Sequence, residues 1–496
     1  MSLTAQLPAL QVIVPLLTAP LVMLLRAPGL SWAAATAASV MSFAIAVALT
    51  AEVLSGGSIS YAMGNWPGPY GIVIHIGAFG SMVLLLVTGA SAVALVSGRE
   101  SLGSEVPADR RHLFYAAWLI VLAGLAGITV TGDAFNVFVF MEISSLASYI
   151  LIAAGPDRRA LTATFKYLIM GTIGATFYLI GVGLVYMMTG TLNFADMEVR
   201  IAEVTDQRPI LVAAGFITVG LALKAAVFPL HIWLPNAYTF APHIVTAFFA
   251  ACSTKVAIYV LLRFDFLVFQ ANLSEHVNQF ASFLLPLSLL GIMVGSAVAV
   301  LENSLKRLLA WSSVAQIGYI LLGAGLSTHA GLTASVTHMF NHALAKGALF
   351  LALAGMAMHV DKLLFKDIGG IGRRMPWTTA ALVIAGASLV GIPGTAGFVS
   401  KWLLLQAAFQ EGTFGMLAVV VVVLSSLAAA YYIWRIVEQA YFGKPVEGAT
   451  AGEAPWPLLA GLWLVAIANI YFGLAPQLPV TLAETAATNL LGLAPQ

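Results

Sequence analysis

From residue 7 to residue 474 the chain alternates apolar runs of about 20 residues with short polar intervals. At 1.5 Å of rise per residue, each run is long enough for a helix to cross the ~30 Å hydrocarbon layer of a bilayer. Fourteen spans are expected, near 7–25, 30–54, 72–97, 112–131, 133–154, 160–189, 209–235, 241–268, 278–301, 304–326, 329–358, 376–410, 414–440 and 456–474. The long seventh and twelfth spans carry internal breakers: Pro229 in one, Pro393-Gly394 and Gly397 in the other. Proline removes a backbone donor and clashes with the preceding turn, so these two helices should open there. Open backbone at membrane depth is tolerated only where protein or water satisfies it. The expected fold is therefore an all-α polytopic membrane protein with broken seventh and twelfth helices. It reads as one membrane domain over 1–496, with peripheral N-terminal helices in 1–97 and a final helix at 456–474.

Composition agrees with this pattern. Of 496 residues 60% are hydrophobic and 9% charged, against about 25% charged in soluble proteins. A net charge of +1 without any basic cluster gives no sign of a nucleic-acid partner. The single cysteine, Cys252, excludes a disulfide framework and a cysteine metal site. The first 25 residues lack a basic segment ahead of the apolar run and read as a first span, not a cleaved signal.

Charge placement adds orientation. Of the 22 Lys and Arg residues, fourteen fall in or at the edges of loops after odd-numbered spans, three in or beside those after even-numbered ones, and five are lysines that no loop claims. That bias puts the odd loops in the cytoplasm and both termini outside the cell inner (plasma) membrane. A missed helix would scramble it. There is also a faint internal repeat. Residues 132–155 lie without gaps over 302–325, matching at Tyr149/Tyr319, Ile150/Ile320, Leu151/Leu321, Ala154/Ala324 and Gly155/Gly325. This pairs the fifth span with the tenth and the broken seventh with the broken twelfth. Two five-helix repeats, 112–268 and 278–440, must then insert with opposite topology, a transporter signature.

Ionisable groups in spans are costly, at least ~2.5–3.5 kcal/mol at mid-bilayer, and functional by default. Glu142 lies about nine residues, or about 13 Å, into the fifth span, and Lys255 is similarly central in the eighth. Lys224 sits five residues before Pro229, and Lys401 follows the second break. His338, His342 and Lys346 recur every fourth residue of the eleventh span and so form one stripe. In chain order Glu142, Lys224, Lys255, His342, Lys346 and Lys401 make a polar row from one half of the protein into the other. Burial disfavours a lone charge and an opposite charge restores it. A Glu142–Lys224 pair would hold both groups ionised, and separating it would send the Lys224 proton toward Lys255. No cofactor, metal or nucleotide is needed for such a relay.

Plainer readings compete at several positions. His231 and His338 are further candidates for proton transfer; His231 and His243 also flank a short loop and suit capping of backbone freed by the prolines. His338 suits an interhelical hydrogen bond. Lys166, near the cytoplasmic end of the sixth span, can snorkel.

The residues resemble a known group, the antiporter-like membrane subunits shared by Mrp-type cation/proton antiporters, respiratory complex I and membrane-bound hydrogenases. The likeness covers about residues 70–440. It rests on Met141-Glu142, on Leu223-Lys224-Ala with Phe228-Pro229-Leu-His231-Ile-Trp233-Leu-Pro235, and on Ser253-Thr254-Lys255. It extends to Phe340-Asn341-His342-Ala-Leu-Ala-Lys346 and to Gly391-Ile-Pro393 with Gly397-Phe398-Val-Ser-Lys401. The resemblance implies fourteen helices, inverted repeats and a proton path over the glutamate and the lysines. The Phe-Asn-His-Ala-Leu-x-Lys block looks most like the D-type subunit of Mrp antiporters. That implies a proton-translocating subunit of a multisubunit Na⁺/H⁺ antiporter, a secondary transporter and not an enzyme. H⁺, Na⁺, the bilayer and other membrane subunits would be its partners. The alternatives are a proton-pumping membrane subunit of a redox-driven complex, of NADH:quinone oxidoreductase or membrane-bound hydrogenase type, and a non-transporting scaffold.

Overall fold

A computed structural model describes residues 4–270, 274–360, 362–445 and 452–493. Helices α1 (Leu7–Leu24) and α2 (Pro28–Gly56) lead into an antiparallel hairpin, β1 (Ile59–Ala62) and β2 (Val73–Ile76), with Ile59 opposite Ile76. Next come α3 (Ala78–Ser97), short α4 (Arg99–Glu105), α5 (Arg111–Val130), α6 (Ala134–Ala153), α7 (Arg159–Thr189) and short α8 (Phe194–Glu203). Helices α9 (Arg208–Ala225) and α10 (Trp233–Phe240) flank the first break, and α11 (His243–Leu262) runs into a π-helical stretch at Arg263–Gln270. Then follow α12 (Ser274–Leu301), α13 (Leu305–Gly325), α14 (His329–Met356) and short α15 (Ile371–Arg374). Helices α16 (Pro376–Val390) and α17 (Ala396–Phe409) flank the second break, and α18 (Gly412–Phe442), α19 (Trp456–Leu474) and α20 (Gln477–Leu490) complete the order.

Among the described residues thirteen helical stretches are long and apolar enough to cross a membrane. The fourteenth expected span is the α16–α17 pair, two apolar helices each too short to cross alone. The centre of the bundle is α11, α13 and α14, which are almost wholly buried. Helix α14 packs against α11 on one side and against α13, α16 and α17 on others, so it joins the two halves.

Both breaks fall where the prolines placed them, and each has its own local cause. The first opens at Ala226, whose φ of +56° ends α9, and the Trp233 indole donates to the Leu223 carbonyl at 2.9 Å. That bond satisfies one of the carbonyls a helix end leaves free. In the second, Gly391 ends α16 at φ +92°, a conformation that costs glycine little. Gly397 lies so close to α16 that a Cβ there would sit 1.8 Å from the Ser388 carbonyl oxygen.

Several elements differ from expectation. The third span begins at Ala78, not at 72, because Val73–Ile76 alternates its burial and pairs as a strand. The seventh span stops at Ala225 and does not continue to 235, since α10 is a separate helix. Helix α20 follows residue 474, where no element was expected. It turns Leu482, Ala483, Ala486, Ala487 and Leu490 inward against α14 and α3. Of the N-terminal helices expected at the periphery, α1 and α2 leave much of their surface open, whereas α3 is mostly buried.

Candidate functional site

The first half of the site is built on α6 and α9. Asp133 caps α6 by accepting from the Asn136 amide at 2.8 Å, which fixes the start of the helix that carries Glu142. Lys224 lies in the last turn of α9, against α7, where Gly174 and Gly220 allow close backbone approach. The Lys224 Nζ is 3.6 Å from Glu142 Oε1 and donates to Ser145 Oγ at 2.7 Å. The hydroxyl is therefore the closer partner, and Glu142 Oε1 is buried without a hydrogen bond. Tyr167 stacks on Trp233 at 4.2 Å and meets Tyr149 edge-on at 4.9 Å, walling the pair with aromatic rings. A cavity of about 30 Å³, lined by Ser144, Ser145, Ser148, Lys224 and, on α11, Ser253, leads on from the lysine. That is room for a water or two with several polar partners.

Lys255 is buried two residues beyond Ser253 and donates to the Ala250 carbonyl of its own helix. On α14, Lys346 donates to the Leu309 carbonyl at 2.7 Å and to the Ser312 hydroxyl. His338 bridges Gln316 and Ser400, each at 2.9 Å, and so ties α14 to α13 and α17. The His338 and His342 rings lie parallel with centroids 6.1 Å apart. His342 is buried, and both its ring nitrogens lack a partner. Lys401 donates to the carbonyls of Leu389 at 3.0 Å and Val390 at 2.9 Å and to Ser426 Oγ at 3.1 Å, with its Nζ 5.0 Å from the Tyr319 ring centroid. Those carbonyls are the last of α16, where the helix dipole presents its negative end. The break thus makes the seat that receives the lysine.

The structure brings Glu142 with Lys224, and His338 with His342 and, through Ser400, with the turn that carries Lys401. Four buried lysines face a single glutamate in this row, so most carry no counter-charge, an arrangement that is expensive if all are ionised. His231 is placed apart: its ring stacks on Phe228 and meets Trp311, and its Nδ1 is buried without a partner. Lys166 is exposed on α7. His243 makes a different contact from the proline-freed backbone suggested for it. Its amide and Nδ1 both bond Glu105, at 3.0 and 2.7 Å, which caps α11. Lys306, counted with the loops, is buried beside it and donates to the Ala241 carbonyl at 2.7 Å. Burial works against ionisation of Glu105, but His243 and then Lys306 outweigh it and hold the carboxyl below its ordinary range.

Sequence reasoning missed the hydroxyl and amide partners Ser145, Ser312, Gln316, Ser400 and Ser426. Two of these clusters had a signal, since Ser144, Ser145 and Ser148 and likewise Ser312, Ser313 and Gln316 recur at helical spacing. It also took Glu142 as the one deep carboxylate. Asp265, on the π-helical stretch, is 3% exposed with Oδ1 3.5 Å from the Thr218 hydroxyl. Among the described residues no three His, Cys, Asp or Glu side chains gather as metal ligands.

A multi-pass helical chain with two interrupted helices and a buried charged row between them has the form of an antiporter-like membrane subunit. The chain belongs to the family described as NADH:quinone oxidoreductase/Mrp antiporter, transmembrane, whose model matches residues 131–428. It is 41% identical over 459 residues to the N-type subunit of the NADH-quinone oxidoreductase of Desulforudis audaxviator, covering 92% of this chain and 90% of the relative. It is 30% identical over 461 residues to the D-type subunit of the Na(+)/H(+) antiporter of Bacillus subtilis, covering 92% and 91%. Among solved structures it matches a chain of the Mrp complex from Dietzia sp. DQ12-45-1b with a TM-score of 0.90, at 28% identity over 99% of this chain and 98% of that one. A chain of the membrane-bound sulfane sulfur reductase, an archaeal respiratory membrane complex, gives 0.89 at 30% identity, covering 98% of both. One from respiratory complex I of Thermus thermophilus gives 0.73 at 26%, covering 96% and 99%. The motifs read from the sequence identified this family correctly.

Proposed function

We propose that this chain translocates protons as the D-type subunit of a multisubunit Na⁺/H⁺ antiporter in the cell membrane, with both termini outside. Glu142 is the charge partner and switch, and Lys224 the switchable carrier. Lys255 with the His342/Lys346 stripe forms the relay, His338 stands beside it, and Lys401 is the terminal carrier. The observation that carries this reading is the loose Glu142–Lys224 pair at 3.6 Å, set at a helix break beside a water-sized polar cavity that leads toward the helix of Lys255. A pair held at that distance is readily separated, and separation leaves a buried ammonium with reason to give up its proton. The two halves, read as inverted repeats, each supply a lysine at a break.

A second reading is favoured by the 41% identity to the N-type subunit of an NADH-quinone oxidoreductase. In it, electron transfer in other subunits drives the same row. Purifying the intact complex separates the two: flavin and iron–sulfur subunits travelling with the chain mark the redox-driven form. The proton role itself is tested by Lys224→Ala in the assembled complex. Proton transfer by a positioned group is worth at least about a hundredfold, so transport in proteoliposomes and Na⁺ tolerance in antiporter-deficient cells should fall to background. Normal transport by that variant would leave the chain a scaffold.

A further inference from the structure

The end of α14 remote from Lys346 carries polar groups that the row above does not use. Thr333, Thr337 and Asn341 recur every fourth residue and so form one stripe with steps of about 6 Å. Thr333 is 5%, Thr337 0% and Asn341 1% exposed. Each has a side-chain oxygen buried with no hydrogen-bond partner: Thr333 Oγ1, Thr337 Oγ1 and Asn341 Oδ1. Threonine in a helix usually returns its hydroxyl to a carbonyl one turn back, as Thr88, Thr129 and Thr189 do here. Three consecutive turns of unpaired oxygens are costly in a dry interior and call for a further polar partner such as water.

The stripe has two identifiable ends. Thr333 lines a cavity of about 730 Å³ between α14, α17, α18 and α20, with His329, Gln406, Gln410 and the exposed Glu484 at its walls. At the other end the Asn341 amide donates to the Ala396 carbonyl at 2.6 Å, in the first residue of α17. His338, one residue after Thr337, bonds Ser400, the neighbour of Lys401.

We propose that Thr333, Thr337 and Asn341 line a water-filled proton outlet from the Lys401–His338 end of the row, through this cavity, to the face on which α14 begins. The proposal rests on the proton-carrying reading above. A proton leaving the Lys401 ammonium passes along hydroxyls and waters that each accept one proton and release one, so the stripe ends unchanged. One H⁺ reaches bulk solvent beside Glu484. The threonines act as positioning residues that hold the water file.

The test uses the assembled complex in proteoliposomes. Cys252, the native thiol, is buried, so Thr333→Cys can be probed with a membrane-impermeant trimethylammonium methanethiosulfonate reagent. Reaction from the α14-start side only, with loss of transport, is expected once a bulky cation plugs the outlet. Failure to react, or reaction without loss of transport, overturns the proposal. Should Thr333→Cys not assemble, Thr337→Val and Thr337→Ser decide. Val removes the hydroxyl and should slow transport roughly tenfold, while Ser should restore it; equal rates for Val and the native chain overturn the outlet. Lys401→Ala separates the two levels. If it is inactive while Thr337→Val is normal, only the outlet fails; if Lys401→Ala itself transports normally, the underlying proton path fails.

Discussion

Lys224 has two partners of unequal reach, a serine hydroxyl at 2.7 Å and a carboxylate at 3.6 Å. The hydroxyl fixes where the ammonium sits, and the carboxylate sets whether a charge is tolerated there. Glu142 keeps 27% of its side chain exposed, but it does so inside a span, where apolar surroundings screen little, so its attraction still reaches the ammonium at 3.6 Å. Ser145→Ala should therefore lower transport several-fold, the worth of a typical net hydrogen bond, about 0.5–1.5 kcal/mol. Glu142→Gln removes the switch proposed above and should lower it about a hundredfold. Initial rates of proton uptake by proteoliposomes, corrected for assembled complex, give the order, and a larger loss in Ser145→Ala would unseat Glu142 as the switch. At this scale the lysines and Glu142 were legible because a charge inside an apolar run is rare and expensive. Ser145, Gln316 and Ser400 were not, because serine and glutamine cost little in a membrane helix and are common at its packing faces.

At the scale of elements, the two breaks set α9 and the α16–α17 pair apart from the ordinary helices around them. Pro229 and Pro393 announced them, since proline lacks the backbone donor that a helix interior needs. Their extent was not legible, because where α9 stops depends on Ala226 adopting φ +56° and on Trp233 reaching back to Leu223. Helices α4 and α8 escaped for another reason: each is short, and its pattern is too brief to stand apart from a loop. The second break gives a sharp test. The Gly397 amide donates to Ser388 Oγ at 3.1 Å, and a methyl group there would overlap the Ser388 carbonyl. Gly397→Ala must push α17 from α16, carrying Lys401 away from the Leu389 and Val390 carbonyls. It should destabilise the protein by about 1–3 kcal/mol and lower transport with it. Gly183→Ala, where a Cβ meets nothing within 4 Å, serves as the neutral comparison in thermal melts and transport assays.

For the molecule as a whole, the direction of transport depends on which face is which, and the charges bear on that question. Fourteen Lys and Arg residues in or beside one set of loops against three for the other favour one insertion. The structure keeps the two sets apart. Ser104 is exposed on α4, between α3 and α5, and Thr205 is exposed just past α8, between α7 and α9. Helices α5, α6 and α7 cross three times between these sites, so the two lie on opposite faces. The Thr205 face is also where α13 gives way to α14, and so where the 730 Å³ cavity lies. With the native cysteine buried, Ser104→Cys and Thr205→Cys can be read one at a time in intact cells with an impermeant maleimide. Labelling of Thr205→Cys alone is expected, and it would place that cavity in contact with the outer medium and Glu105, with its capped α11, toward the cytoplasm. Labelling of Ser104→Cys alone would invert the whole chain, and the Lys401 end of the row would then deliver protons inward. Because a single inserted protein cannot satisfy both patterns, this measurement fixes the sign of every transport step assigned to the row.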